Sequence, residues 1–441
     1  MKDPPSEPGR KEQTNPGMIH EREGAQTMDQ YEHRKSTGVL RVTDAAGNPL
    51  AGQEIRAKLT KHEFLFGTGG FFTVPLTDPK LPAEKKAYYE KVYEEWKQTF
   101  NYATLSFYLG RYEPEKGLTR EKETLRAAAQ LEKDGKRMKG HPLCWHTVAP
   151  AWMYDMPEEE VLDYFLYRIR RELSAFGGKI GFWDVINEVV IMPEFVNEPA
   201  SLPRMNPVTR LCRKMGRVPL VKALFDQAHA ADPQAKLLLN DFNTSERYRQ
   251  LIADCLDAGT GIDIIGIQSH QHQGFWGMEK LMEVTERFES FGLPIHYTEN
   301  TFVSGELMPP EIVDLNDWQV ESWPSTPEGE ERQAENLMTM MDYLFSRPLV
   351  EGFTTWDFED HQWLKAPSGL IHSDGTPKKA LLALREKLAG DWNTDVTLKT
   401  DENGFCELHG FRGDYELEAA GQKQAYRLTK EAETQTIQLK A

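Results

Sequence analysis

Two strand-like segments of the sequence each end in a glutamate. One reads "WDVINE" and ends at Glu188, and the other reads "PIHYTEN" and contains Glu299. Hydrolysis of a glycosidic bond requires two such carboxyl groups, because one protonates the leaving oxygen and the other meets the positive charge that develops at the anomeric carbon. Each glutamate alone is equally well a solvated strand end, so the interpretation depends on whether the fold brings the pair together.

Polar and aromatic residues near the ends of other segments are further candidates. Asn187 offers an amide to a sugar hydroxyl, although the commoner role of such an asparagine is to cap a turn. Gln268 and His270 alternate in "GIQSHQH" and therefore point the same way from a strand. A metal site at His270 and His272 is the alternative, but no third ligand has suitable spacing, so we expect no metal there. His141 is a further candidate ligand for a sugar hydroxyl. Three tryptophans have flat apolar faces that suit sugar rings, although a tryptophan is more often a core residue: Trp145, Trp356 and Trp363.

Eight apolar or β-branched runs alternate with segments of helical periodicity between residues 62 and 390. The strand candidates are "HEFLFGTG", "FNYATLSF", "RMKGHPLCWH", "KIGFWDVINE", "KLLLNDFN", "GIDIIGIQSH", "PIHYTEN" and "EGFTTWDF". Eight βα units predict a closed parallel (β/α)8 barrel, the TIM barrel of the α/β class. The competing doubly wound sheet carries a G-x-G-x-x-G loop, and the sequence has only "GTGG" at 67–70. Strand ends carry the chemistry of such barrels, and long loops at 190–215 and 300–328 are expected to wall a groove.

The segments on either side of the barrel have a different pattern. Residues 38–61 and 391–441 contain short alternating strands with turns at "AAGNP", "DENG" and "FRGD". Neither segment has enough apolar residues to fold alone, so we expect the two chain ends to pair into one small accessory β-sandwich beside the barrel at 62–390. Residues 1–37 are charged and rich in Pro and Gly, and we expect a disordered tail there.

The composition restricts the class of partner. The chain has 441 residues, and its 52 basic and 69 acidic side chains give a net charge of −17. This balance argues against nucleic acid or an anionic membrane as a partner, and no pattern specifies an oligomeric state. The first 37 residues lack the apolar region of a secretory signal, so the chain as written is expected in the cytosol, or outside the cell if a signal has been removed. Four widely spaced cysteines predict reduced thiols.

An ordered series of motifs resembles glycoside hydrolase family 10, whose best-known members are endo-β-1,4-xylanases. The series is "GHPLCWH", "WDVINE", "ADPQAKLLLNDFN", "IDIIGIQSH", "LPIHYTE" and "TTWDFEDHQW" followed by "GLIHSDGTPKKAL". The resemblance implies a (β/α)8 barrel and a retaining mechanism without a cofactor. It also implies that Glu188 is the acid/base and Glu299 the nucleophile. Six residues match positions around the sugar next to the cleaved bond: His141, Trp145, Asn187, Gln268, His270 and Trp356.

The sequence departs from the family pattern beside this centre. After strand 2 the family's T-x-E-N-x-x-K-W, whose Glu, Asn and Lys bind sugars on the non-reducing side, is replaced by "TLSFYLGRYEPEKG". Val148 stands where the family has glutamine, and Asn300 follows the nucleophile where an apolar residue is usual. We therefore expect weakened binding of unsubstituted xylan, unless Phe107 and Tyr108 replace the lost hydrogen bonds by stacking.

The function expected from these observations is retaining hydrolysis of β-1,4-xylosidic bonds in xylan or xylo-oligosaccharides, so that the partner is a β-linked oligo- or polysaccharide. One alternative is a β-glycosidase acting on glucan-type or aryl β-glycosides. The other is a carbohydrate-binding barrel without catalysis, which is disfavoured because both glutamates are present.

Overall fold

The computed structural model of the protein describes residues 29–197, 204–431 and 434–439. The strands in these residues are β1 (Lys35–Thr43), β2 (Glu54–His62), β3 (Leu65–Gly69), β4 (Tyr102–Ser106), β5 (Arg137–His141), β6 (Phe182–Asn187), β7 (Lys236–Asp241), β8 (Ile264–Gln271), β9 (Ile295–Phe302), β10 (Val350–Thr355), β11 (Asp395–Lys399), β12 (Phe405–Phe411), β13 (Gly413–Ala419), β14 (Gln422–Leu428) and β15 (Gln435–Gln438).

The barrel consists of β3 to β10, which pair in parallel in chain order, and β10 pairs with β3 to close it. The predicted eight-stranded parallel barrel is confirmed. Its strands are buried without alternation because helices cover the outside while side chains fill the inside, and all eight residues of β9 are buried. Since the strands run in one direction, their carboxyl ends meet at a single mouth.

Helices cover the barrel, and each buries one apolar stripe against it. In the segment Glu121–Lys133, for example, the buried positions recur three and four residues apart. None of the described helices is long and apolar enough to cross a membrane. The helices are α1 (Thr73–Leu76), α2 (Ala83–Lys97), α3 (Leu109–Tyr112), α4 (Glu121–Lys133), α5 (Glu158–Phe176), α6 (Pro207–Met215), α7 (Arg217–Ala231), α8 (Glu246–Asp257), α9 (Met278–Glu289), α10 (Pro327–Phe345) and α11 (Lys379–Ala389), with short 3-10 turns at Glu32–Arg34, Ala151–Met153 and Leu315–Asp317.

The chain ends form two small sheets. β1 lies between β12 and β15, antiparallel to the first and parallel to the second. β2 lies between β11 and β13, and β14 pairs with the other edge of β13. Alternate residues of β2 are buried, as expected for a strand with one face in a core: Ile55, Ala57 and Leu59. Each sheet therefore combines a strand from before the barrel with strands from after it, as the sequence predicted.

One boundary differs from the sequence-based expectation. Residues 29–37, part of the predicted disordered tail 1–37, include a 3-10 turn and the start of β1. The Tyr31 hydroxyl donates to Asp342 at 3.0 Å. The Arg34 guanidinium donates to three carbonyls at the amino-terminal end of the barrel, those of Phe345, Arg347 and Val350. These contacts hold the segment against the barrel, although its composition predicted disorder. Residues 1–28 of the predicted tail lie outside the described residues.

Long loops leave the mouth after β6 and β9. The second, 303–326, packs over a small apolar cluster of its own that is separate from the main core. The first is shorter than the predicted 190–215, because α6 begins at Pro207, capped by the Asn206 side chain, which accepts hydrogen bonds from the backbone N–H groups of Val208 and Thr209. Residues 198–203 of that loop lie outside the described part of the chain.

Candidate active site

Glu188 directly follows β6 at the mouth of the barrel. Its backbone has a φ of 58°, a conformation uncommon for residues other than glycine, and its N–H donates to the Asn240 carbonyl at 2.9 Å. Its carboxylate accepts hydrogen bonds from Trp145 Nε1 at 2.8 Å and from Gln268 Nε2 at 3.0 Å. The side chain is 13% exposed, so the carboxyl group is held by the protein but remains reachable.

Glu299 lies within β9 and is held from three other strands. Asn240 Nδ2 of β7 donates to its Oε1 at 2.8 Å. His270 Nε2 of β8 lies 3.3 Å from its Oε2, and His141 Nε2 of β5 lies 3.9 Å from its Oε1. Since four strands define its surroundings, this carboxylate is fixed more firmly than a side chain on a loop.

Amide side chains connect the two glutamates. Asn240 Nδ2, which donates to Glu299, also donates to Asn187 Oδ1 at 2.9 Å. Asn187 Nδ2 donates to Glu188 Oε1 at 3.1 Å. Gln268 Nε2 lies within 3.2 Å of Asn187 Oδ1 as well as bonding Glu188. The two carboxyl groups thus belong to one hydrogen-bonded network across the mouth.

The surroundings shift the two carboxyl pKa values in opposite directions. Burial raises the pKa of Glu188 to about 8, and the negative charge of Glu299 adds to this effect. Burial acts in the same sense on Glu299, but His141 and the hydrogen bond from His270 outweigh it, so the pKa of Glu299 lies below its usual value. Near neutral pH one carboxyl group is therefore protonated and the other ionised, the division of roles that acid-assisted nucleophilic attack needs.

A buried ion-paired group supports His141 from inside the barrel. Asp184 Oδ2 lies 2.6 Å from His141 Nδ1 and 2.8 Å from Lys139 Nζ, and none of the three side chains is more than 1% exposed. Burial alone raises the pKa of Asp184, but Lys139 and His141 outweigh it and hold this pKa below its usual value. Asp184 and Lys139 were not among the residues predicted from the sequence, although charged residues inside the runs "WDVINE" and "RMKGH" indicate a paired interior.

Two of the candidate tryptophans surround the carboxylates. The Trp145 ring is tilted against Tyr108, with centroids 5.4 Å apart, and its Nε1 reaches Glu188. The Trp356 ring meets His141 edge-on at 5.2 Å and is 7% exposed. Their apolar faces line the space beside the glutamates, as binding of a sugar ring requires.

Trp363 lies at the far side of His270, with ring centroids 4.6 Å apart. It also packs at 5.1 Å against His272, a fully buried residue whose ring nitrogens have no hydrogen-bond partner among the described residues. The rings of His270 and His272 are 6.5 Å apart, and the described part of the chain contains no cluster of three or more side chains suited to a metal ion. His272 therefore belongs to the aromatic packing behind Trp363.

The segment after β4 differs from one expectation. Phe107 is fully buried, packed at 4.9 Å against Trp183 and at 5.1 Å against Phe176, and is not available to stack on a sugar. Only Tyr108 of the two aromatic residues faces the mouth. The sequence alone did not distinguish them, because both follow a five-residue strand. Phe242, directly after β7, is a further rim residue that was not selected, and it is 46% exposed.

Comparisons with known proteins were consistent with this geometry. The model of glycosyl hydrolase family 10 matches residues 95–387. A β-1,4-xylanase of Dictyoglomus thermophilum is 29% identical over 241 residues, which are 53% of this chain and 63% of that protein. An endo-1,4-β-xylanase of Geobacillus stearothermophilus is 28% identical over 241 residues, 52% of this chain and 68% of that protein. The chain thus spans about two thirds of these relatives. The solved GH10 structure from Paenibacillus barcinonensis shares the fold with a TM-score of 0.58 at 22% identity, covering 74% of this chain and 96% of that one.

Proposed function

The chain belongs to glycosyl hydrolase family 10, and we propose that it hydrolyses β-1,4-xylosidic bonds in xylan or xylo-oligosaccharides with retention of configuration. The observation that carries the proposal is the pair Glu188 and Glu299, which share one amide network and have pKa values shifted apart. The xylanase names of the two curated relatives support the choice of substrate.

In the first step the ionised Glu299 attacks the anomeric carbon while Glu188 gives its proton to the leaving oxygen. The glycosidic C–O bond breaks and a glycosyl ester of Glu299 forms. Asn187 and Gln268 hold the Glu188 carboxyl group in place through hydrogen bonds to its Oε1. Trp145 and Trp356 offer apolar faces to the sugar at this point.

In the second step Glu188 takes a proton from a water molecule, which attacks the ester and releases the sugar. The electrostatics favour this exchange of roles. The negative charge of Glu299 is one of the causes that raise the pKa of Glu188, and esterification removes that charge. The pKa of Glu188 therefore falls when Glu188 must act as a base.

The second candidate is a β-glycosidase acting on glucan-type or aryl β-glycosides. It is favoured by the segment after β4, where a buried Phe107 and an aromatic Tyr108 stand in place of polar sugar ligands. A binding barrel without catalysis is disfavoured, because such a barrel needs only one of the two carboxylates and this chain has both.

Substitution of each glutamate tests the mechanism. Glu299→Ala should abolish turnover of every substrate, because no glycosyl ester forms. Glu188→Ala should slow xylo-oligosaccharides severely. With aryl xylosides whose activated leaving groups need no proton, it should spare the first step, seen as a rapid burst of released phenol, while the loss of the base slows hydrolysis of the glycosyl ester. Proton NMR of fresh product should show the β-anomer first. Initial release of the α-anomer, or cleavage of gluco-oligosaccharides in preference to xylo-oligosaccharides, would contradict the proposal.

A further inference from the structure

The segment after β4 places an exposed cation at the edge of the cleft. Arg111 lies on α3, with its guanidinium carbon 5.6 Å from the ring centroid of Tyr108. Tyr108 packs against Trp145, and after burial the largest causes that raise the pKa of its hydroxyl are the charges of Glu299 and Glu188. The Tyr108 ring therefore adjoins the catalytic centre, and Arg111 stands beside it towards solvent.

Arg111 has no ion pair or side-chain hydrogen bond within the residues that the structure describes. The nearest carboxylate along the segment is already engaged, because Glu113 lies 2.6 Å from Arg171. In a protein of net charge −17, this exposed cation beside Tyr108 thus has no carboxylate partner among the described residues. Such a guanidinium is free to take a carboxylate from a ligand.

Helix α5 fixes this segment from behind. Arg168 donates to the Phe107 carbonyl, and the Glu113 carboxylate accepts from the Tyr164 hydroxyl at 2.6 Å. Both contacts are buried, and they secure the two ends of the turn that carries Arg111. Because this segment is already ordered, little backbone entropy is lost when Arg111 binds a ligand, and this favours affinity.

We infer that Arg111 selects a sugar substituent that carries a carboxylate, which makes a uronic-acid-branched xylan or xylo-oligosaccharide the preferred substrate class. The planar guanidinium pairs with the carboxylate in a bidentate manner, and the Tyr108 ring supports the sugar that bears it. The inference rests on the proposed function and specifies the substrate of that same site.

The test compares two compounds that differ only at one carboxyl group. The value of kcat/KM is measured for a xylo-oligosaccharide with one glucuronic acid branch and for the same compound after reduction of its carboxyl group to hydroxymethyl. The wild-type protein should prefer the acid by about 3- to 10-fold at low salt, and the preference should shrink as salt screens the pair. Arg111→Ala should bring the ratio to about one by the same argument, and Arg111→Lys should retain part of it.

Arg249→Ala is the matched control, because Arg249 also rests on a ring, that of Phe291 at 5.7 Å, and its removal changes the net charge equally. This variant should keep the wild-type ratio. A wild-type ratio near one, or an unchanged ratio in Arg111→Ala, would overturn the inference.

If neither compound nor linear xylohexaose is cleaved, the proposed function fails, and calorimetric binding of the same two compounds decides the role of Arg111. Preferential binding of the acid that is lost in Arg111→Ala supports the inference, and equal binding overturns it.

Discussion

At the scale of single residues, the hydrogen bond from Trp145 Nε1 to Glu188 counteracts part of the burial effect. A donor stabilises the ionised carboxylate, so it lowers the pKa of Glu188, which burial and Glu299 raise to about 8. The proposed mechanism needs Glu188 protonated and Glu299 ionised. The value of kcat/KM should therefore fall as pH rises through about 8, and on the acid side it should fall only below the usual carboxyl pKa.

Trp145→Phe removes this donor and keeps an aromatic ring, so the alkaline limb of the pH profile should move to higher pH. The measurement is kcat/KM on a xylo-oligosaccharide between pH 3 and about 10. Trp318→Phe serves as control, because Trp318 Nε1 has no partner among the described residues. An alkaline limb that stays in place or moves to lower pH in Trp145→Phe would show that this bond does not set the protonation of Glu188.

We expect the buried ion pair between Asp184 and Lys139 to contribute to the free energy of unfolding. Asp184→Asn leaves the Lys139 charge buried without its partner, and removal of one member of a buried pair costs about 3–5 kcal/mol. Urea denaturation of the variant measures the loss. Adding Lys139→Met should recover part of it, since the uncompensated charge is then gone. Asp395→Asn, which breaks the exposed pair with Arg56, should have a much smaller effect. Equal losses in the two single variants would contradict this account.

At the scale of elements, we expect the segment between β4 and α4 to govern which sugars bind beside the two glutamates. Three hydrogen-bonding groups of the family pattern are absent, and each such bond contributes roughly 0.5–1.5 kcal/mol. With Phe107 in the core, only Tyr108 remains to compensate by stacking. The binding of undecorated sugars there should be weaker by about 2–4 kcal/mol, or roughly 30- to 1000-fold.

The comparison that tests this is kcat/KM on linear xylohexaose beside decorated oligosaccharides and aryl glycosides. The Geobacillus stearothermophilus relative is a suitable reference protein. Turnover of xylohexaose at the rate of that reference, and above the other substrates, would show that the segment after β4 does not control specificity.

The sequence predicted the elements whose patterns are local. Apolar or β-branched runs that alternate with amphipathic segments predicted the eight strands of the barrel, and the polar ends of two of them led to the prediction of Glu188 and Glu299 as the catalytic pair. Contacts between distant segments were not predictable in the same way. The pairing of Asp184 with Lys139 and the burial of Phe107 under α5 depend on which side chains of neighbouring strands share a face, and this is settled only when the barrel closes.

At the scale of the whole molecule, the accessory sheets and the barrel share one continuous core. Trp392 is fully buried where they meet, 4.7 Å from Phe345 of α10 and stacked at 5.7 Å on Phe66 of β3. Phe411 of β12 reaches the same Phe345 at 5.8 Å. Since β1 and β2 pair mainly with strands from 395–438, neither chain end retains a partnered sheet without the other.

This shared core predicts that the accessory sheets and the barrel unfold together. Calorimetry should show a single transition, with the intrinsic tryptophan fluorescence and the far-ultraviolet dichroism changing at one temperature. Phe411→Ala should destabilise the protein by about 3–5 kcal/mol, because it opens a cavity against Phe345. Hydrogen exchange in β12 and in the barrel strands should accelerate equally in that variant, since a single cooperative unit opens as a whole. Two separate transitions, or faster exchange confined to β12, would show that the chain ends form an independent module attached to the barrel.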